Sequence, residues 1–159
     1  MACIMTNEDW EQVDCSSRSI VSCLLSSLGA TDIGTSSGCC CWDLSCLLRG
    51  APTSVEVKDR SVPHDRYCDI MVEEVKVKAT EAKKQFGRRL AVNVHTDNVL
   101  CLANLSDPKA VRKTKYCKYT TLVKGESHDY VSKQIVLLPQ RVKVKFRRED
   151  GGFRFSRIK

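Results

Sequence analysis

The sequence predicts an α+β fold, in which an N-terminal helical segment precedes a mainly antiparallel β-sheet domain, closed as a sandwich or a barrel. Three observations lead there. Apolar residues recur at helical spacing between Trp10 and Leu28. From residue 53 onward the dominant period falls to two. Near the end, RVKVKFR (141–147) is followed by Asp150-Gly151-Gly152 and then Phe153 and Phe155, which spells a hairpin. A chain of 159 residues, 42% hydrophobic and 28% charged, is long and apolar enough to bury one core. The expected division is a helical, cysteine-rich N-terminal extension over 1–52, packed on a basic β-rich domain over 53–159.

The first element is expected as one helix over 7–28 or two shorter ones. Thr6 or Asn7 caps it, and Glu8, Asp9 and Glu11 sit at the positive end of its dipole. Trp10, Val13, Ile20, Val21, Leu24, Leu25 and Leu28 supply its apolar side, and Gly29 ends it. GATDIGTSSG (29–38) reads as a loop, and CCCWDLSCLLRG (39–50) as a short apolar helix or turn closed by Gly50 and Pro52. Val55 and Val57 then alternate with Glu56 and Lys58 in a short strand. Cys68, Ile70 and Val72 share one phase and Val75 and Val77 the other, so Glu73 and Glu74 mark a bulge or a bend within a longer strand. TEAKKQFG (80–87) is a helix or a broad connection. Leu90, Val92 and Val94 restart the alternation, His95 to Asn98 turns, and Val99 to Leu105, Thr114 to Val123 and Ile135 to Leu138 complete the strands before the terminal hairpin.

Charge is unevenly placed. Of a net +7, residues 1–52 carry two basic and six acidic side chains, and the remainder carries 24 basic and 13 acidic. Residues 141–159 alone hold eight basic and two acidic side chains. Alternation puts Val142, Val144 and Phe146 on one face of the strand and Arg141, Lys143, Lys145 and Arg147 on the other, spaced by roughly 6.6 to 6.8 Å. Arg154 and Arg157 extend this row, and Lys113, Lys115 and Lys118 join it if their strand lies near. Such a row meets phosphates without reading bases, while Tyr116 and Tyr119 can stack on unpaired bases.

Seven of the ten cysteines lie at 3, 15, 23, 39, 40, 41 and 46. Glu8, Asp9, Glu11, Asp14 and Arg18 interrupt any apolar leader, so the expectation is an intracellular chain, cytoplasmic or nuclear and not secreted, with reduced thiols. No apolar run is long enough to span a bilayer.

Three constellations have possible site chemistry. Cys39, Cys41 and Cys46, joined by Cys68 or a histidine, offer zinc ligands, although three adjacent cysteines do not make a two-residue-separated knuckle. His64, His95 and His128, with Asp65, Asp97 and Asp129, offer acid/base pairs without a clear nucleophile. Finally, Asp69, Glu74 and Lys76 in DIMVEEVK combine two carboxylates with a lysine. This fragment resembles the PD-(D/E)xK nuclease pattern, with Asp69 matching the aspartate and Glu74-Val75-Lys76 the triplet. In that family the aspartate usually starts a different strand from the triplet, and five residues leave little room for the turn between them.

The leading expectation is a nucleic-acid-binding accessory protein, RNA before DNA, of the kind found in viruses and similarly specialised systems. It needs no cofactor, and no catalytic residue is assigned. The alternative is a protein-interaction or assembly module, capsid-like and self-associating or meeting an acidic partner, with Trp42, Leu44, Leu47 and Leu48 as its adhesive patch. A metal-dependent nuclease is the third reading.

Overall fold

The computed structural model describes residues 7–36, 41–67, 70–107, 113–120, 130–138 and 143–156. One long helix, α1 (Asn7–Ser27), is followed by β1 (Ala30–Thr35), β2 (Leu44–Leu48), β3 (Ala51–Arg60) and β4 (Ile70–Glu73). A short helix, α2 (Glu74–Glu81), leads to β5 (Arg88–His95), β6 (Val99–Asn104), β7 (Lys113–Thr120), β8 (Tyr130–Leu138), β9 (Lys143–Glu149) and β10 (Gly152–Ser156). Seven strands form a sheet in the order β1-β2-β3-β5-β6-β9-β10, and three form a second in the order β4-β8-β7. The arrangement is an N-terminal helix followed by a strongly curled, antiparallel-dominant sheet that makes a half-barrel.

One pair breaks the antiparallel rule. β3 and β5 run parallel, with Glu56 opposite Ala91 and Lys58 opposite Asn93. Parallel neighbours need a crossover, because no tight turn can return the chain to the same end of the sheet. The crossover here is β4 and α2, and it lays α2 over one face of β3.

Alternation along β3 assigns the faces. Val55 and Val57 point towards α1, where Val21, Leu24, Leu25, Val92, Leu100 and Phe146 complete the first core. The opposite face carries the second core, in which Ala91, Val99, Cys101 and Ala103 meet Ile70, Val72, Val77 and Leu138 of the crossover and the smaller sheet. Burial of each large apolar side chain contributes about 1.5–3 kcal/mol, so both faces of the large sheet are held.

The tight turns follow their sequences. Arg49 and Gly50 join β2 to β3 with φ of 51° and 74°. Two successive positive φ values make a type I′ hairpin, whose twist matches that of its strands. Gly151, at φ 86°, closes the β9–β10 hairpin, and Phe146 packs edge-on against Phe155 at 5.7 Å as the alternation requires.

Several local expectations change. Residues 44–48, expected as helix or turn, form β2, and 30–35, expected within a loop, form β1. Helical character within 1–52 is therefore confined to α1 among the described residues, and β1 and β2 continue the large sheet. Glu74 does not sit at a bulge in a strand. Glu73 keeps an extended backbone at φ −67° and ψ 126°, and α2 begins directly after it. Leu44 is fully buried and Leu48 is 8% exposed, both in the core beneath α1, so they offer no adhesive surface.

Candidate functional site

The strongest site chemistry lies where β2 enters the sheet beside β3. Leu44 pairs with Val55, which brings Asp43 level with Glu56 on the next strand. The Asp43 N–H donates to the Val55 carbonyl at 2.9 Å, and its own Oδ2 accepts from the Val57 N–H at 2.7 Å. Ser36 steadies the turn by donating its N–H to the Asp43 carbonyl at 2.9 Å and its hydroxyl to the Trp42 carbonyl. From the other side, Arg18 of α1 donates from Nη2 to Asp43 Oδ1 at 3.0 Å. Ser17 binds Asp59 Oδ1 at 2.9 Å, so α1 is tied to both strands.

Glu56 and Lys58 share the face of β3 opposite the α1 core. Ala91 stands beside Glu56 on β5 and leaves space that α2 fills. Val77 and Thr80 anchor α2 on the sheet, and Lys76 reaches Glu56 Oε1 in an ion pair. The other carboxylate oxygen, Oε2, is buried and has no hydrogen-bond partner. A small cavity of about 10 Å³ opens beside Glu56, between Lys76 and Arg89 and against the apolar Val72, Val77, Leu90 and Leu105, and Asp43 does not border it. That is room for about a single water.

The electrostatics follow from this crowding. Burial pushes Glu56 up to about 7; Lys76 opposes the rise and the neighbouring Asp43 carboxyl adds to it. Burial alone would push Lys76 down, but Glu56, Asp43 and Glu73 together more than reverse it and hold the lysine above its ordinary value. Lys58 moves the other way. Partial burial lowers it although the residue as a whole stays exposed, and Lys76 and Arg60 add to the effect. Two carboxylates side by side, with one oxygen lacking a donor, are an arrangement that a proton or a cation relieves.

The fragment DIMVEEVK does not form the site expected of it. Asp69 lies outside the described residues, and Glu74 and Lys76 lie on a helix. Residues two apart share a face on a strand but lie about 200° apart on a helix. Glu74 accordingly pairs with Lys78 at 3.1 Å, while Lys76 alone faces Glu56. The E-x-K spacing that does keep both side chains on one face is Glu56-Val57-Lys58. Its signal was present as an alternating strand with Asp43 thirteen residues upstream.

The remaining candidates are distributed elsewhere. His64 Nδ1 meets Asp97 Oδ2 at 2.5 Å, and the His64 N–H lies 3.3 Å from both Asp97 oxygens. Burial would raise Asp97, but these His64 hydrogen bonds outweigh it and hold the carboxyl low. With Asp65 these groups fall within 4.8 Å of one another. The contacts fasten the 61–67 loop to the β5–β6 turn, as does His95 Nδ1, which donates to the Val62 carbonyl at 3.1 Å. Burial depresses His95.

Cys46 is buried in the α1 core and Cys41 borders the cavity on the other face, so the sheet separates these two expected zinc ligands. Cys39, Cys68, His128 and Asp129 lie outside the described residues. Trp42 is half-buried and packs edge-on against Phe86 at 4.9 Å. Leu47 is half-buried on β2.

Of the expected basic row, Lys143, Lys145 and Arg147 lie on β9 opposite Ala103, Cys101 and Val99. Arg147 and Arg154 are directly opposite one another on the terminal hairpin, and both are exposed. Glu149 pairs with Arg154 at 2.9 Å. Lys113, Lys115, Tyr116, Lys118 and Tyr119 belong to β7, at the edge of the smaller sheet. Arg141 and Arg157 lie outside the described residues.

Comparison with protein-family models, curated proteins and solved structures finds no match. Among the described residues, no helix is long and apolar enough to cross a membrane.

Proposed function

We propose that this chain is a metal-dependent phosphodiesterase acting on nucleic acid, with Asp43 and Glu56 as cation ligands and Lys58 as the accompanying lysine. The observation that carries the reading is the register that sets Asp43, immediately before β2, level with Glu56 of the Glu56-Val57-Lys58 run on β3. This is the strand arrangement that the PD-(D/E)xK pattern calls for and that DIMVEEVK lacks. The donor set is two hard carboxylates, one with a buried oxygen lacking a donor, and it suits Mg²⁺ or Mn²⁺ better than zinc. When bound, such a cation supplies charge neutralisation for the phosphate and a more acidic water.

The chain's own groups divide the remaining tasks. The β3 backbone and Arg18 fix the Asp43 carboxylate, and the parallel β3–β5 pair keeps Glu56 beside a small residue. Lys58 stands on the same face as Glu56, and in this reading it would orient the attacking water or the scissile phosphate. In the hydrolysis, the water oxygen bonds to phosphorus as the bond to the leaving sugar oxygen breaks. An intracellular setting accords with the free thiols of Cys23, Cys41 and Cys46.

The test is cleavage of single-stranded and duplex DNA and RNA with Mg²⁺ or Mn²⁺. Asp43→Asn and Glu56→Gln are expected to lower the rate by at least about a hundredfold while the protein stays folded. Undiminished cleavage by both variants would reject the assignment. Binding without cleavage is the second reading, favoured by the exposed, register-matched Arg147 and Arg154. Metal-independent, salt-sensitive RNA binding with no product would select it.

A further inference from the structure

We propose that the terminal hairpin is a docking surface for unpaired nucleic acid, on which the Phe155 ring stacks a base while Arg148 beside it, and Arg147 and Arg154 on the other face, take the neighbouring phosphates. This rests on the reading of the hairpin as a nucleic-acid docking element and draws nothing from the cation site at Asp43 and Glu56.

Among the described residues the exposed large hydrophobic side chains are Tyr67, Val75 and Phe155, and of these Phe155 alone lies on a strand. It is 54% exposed although its neighbours on the same face enter the core. Phe146, its partner in the register, is 7% exposed and packs edge-on against it at 5.7 Å, and Phe153 packs against the α1 core. The ring is thus held on one side and open on the other. Because β10 is the last strand of the large sheet, no further strand covers it.

The charges around the ring select its ligand. Arg148 is opposite Phe153, so it shares the Phe155 face and stands one diagonal step from the ring, roughly 7–8 Å away. Its N–H donates to the Asn98 carbonyl at 2.7 Å, which ties its backbone to the β5–β6 turn while the residue stays exposed. On the opposite face Arg147 and Arg154 are paired across the strands, and Glu149 engages Arg154 at 2.9 Å. A second copy of this hairpin would bring three arginines against three, so self-association through Phe155 is disfavoured. A nucleotide joins a flat base to an anionic phosphate in one unit and meets ring and guanidinium together. In a duplex the bases are already stacked on one another. The ring therefore discriminates unpaired strands from duplex, which the arginines alone do not.

The test is fluorescence anisotropy with a labelled twelve-nucleotide oligothymidylate and a duplex of the same length, over a salt series in EDTA so that no cleavage intervenes. The parent is expected to bind the single strand more tightly. Phe155→Leu should weaken that binding roughly tenfold, leave the duplex affinity unchanged and keep the salt slope, whereas Arg148→Gln should weaken both and lower the slope by about one. Phe155→Trp should retain the affinity and add tryptophan quenching on binding beyond that of the parent. Circular dichroism would establish that each variant is folded. Parental single-strand affinity in Phe155→Leu, an equal loss for both ligands, or no added quenching in Phe155→Trp would each overturn the proposal. Displacement of the oligonucleotide by polyglutamate at equal charge would overturn it in favour of an acidic protein partner. If the parent binds neither nucleic acid, the docking reading of the hairpin fails and this role with it. If Arg147→Glu with Arg154→Glu abolishes binding while Phe155→Leu binds as the parent does, the docking reading stands and only the stacking role fails.

Discussion

Glu56 joins the sheet at a cost that depends on pH. Burial opposes its charge and raises its pKa from 4.5 to about 7, despite the ion pair with Lys76. Between those values the folded protein holds a proton that the unfolded chain has released. Stability of the metal-free protein is therefore expected to fall as pH rises through that window, by roughly 2 to 3 kcal/mol. Urea denaturation at pH 5 and pH 8 measures the difference, and Glu56→Gln should remove most of it. A slope that survives Glu56→Gln would assign the dependence to another group. His95 acts in the opposite sense: burial holds it low, so its contribution is present at neutral pH and lost as pH falls through its ordinary value of 6.5. The two effects separate because only the first responds to substitution at position 56.

At the scale of elements, the same three-letter spacing has different meanings on a strand and on a helix. VEVK at 55–58 shows its alternation plainly, and the strand it belongs to is legible from sequence. Its partner Asp43 was not, because CCCWDLSCLLRG has too many consecutive apolar residues to display a period of two. A strand buried on one side by α1 and half-covered on the other looks like a short apolar helix. The glutamates at 73 and 74 misled in the opposite direction, since α2 spans only eight residues and its helical period had little length in which to appear. The terminal hairpin and α1 were legible because a glycine-rich turn and a long amphipathic run are local signals. Helix α1 has a second consequence for the site, since it carries Arg18 to Asp43. Leu25→Ala, at a fully buried position, is expected to cost about 2–5 kcal/mol. It should also weaken the seating of α1 on β2 and β3. Denaturation would give the stability loss, and cleavage measured well below the melting transition would show whether the Asp43 anchor suffers with it.

Across the whole molecule, both charge features occupy the same face of the large sheet. Lys58 is opposite Asn93, Asn93 opposite Cys101, and Cys101 opposite Lys145, so a single row crosses β3, β5, β6 and β9. Three strand spacings put its ends about 14 Å apart along the sheet. The smaller sheet and α2 bury the middle of the row at Asn93 and Cys101, while Lys58 and Arg147 remain exposed. Asp43 and Glu56 thus lie at one side of the large sheet and the β9–β10 arginines at the other. Arg147 and Arg154 stand directly opposite one another, where like charges destabilise a hairpin unless an anion or a carboxylate intervenes. Glu149 supplies one such carboxylate to Arg154. If the hairpin docks the backbone of the nucleic acid that the proposed carboxylate site would cleave, its loss should affect binding and spare the chemistry. Arg147→Glu with Arg154→Glu is expected to raise KM several-fold, flatten the dependence of affinity on salt, and leave kcat near the parent value. Steady-state cleavage across a salt series measures all three. An equal fall in kcat would place the hairpin's influence on the reacting centre, and unchanged KM would remove it from substrate docking, leaving the carboxylate site to hold its substrate without β9 and β10.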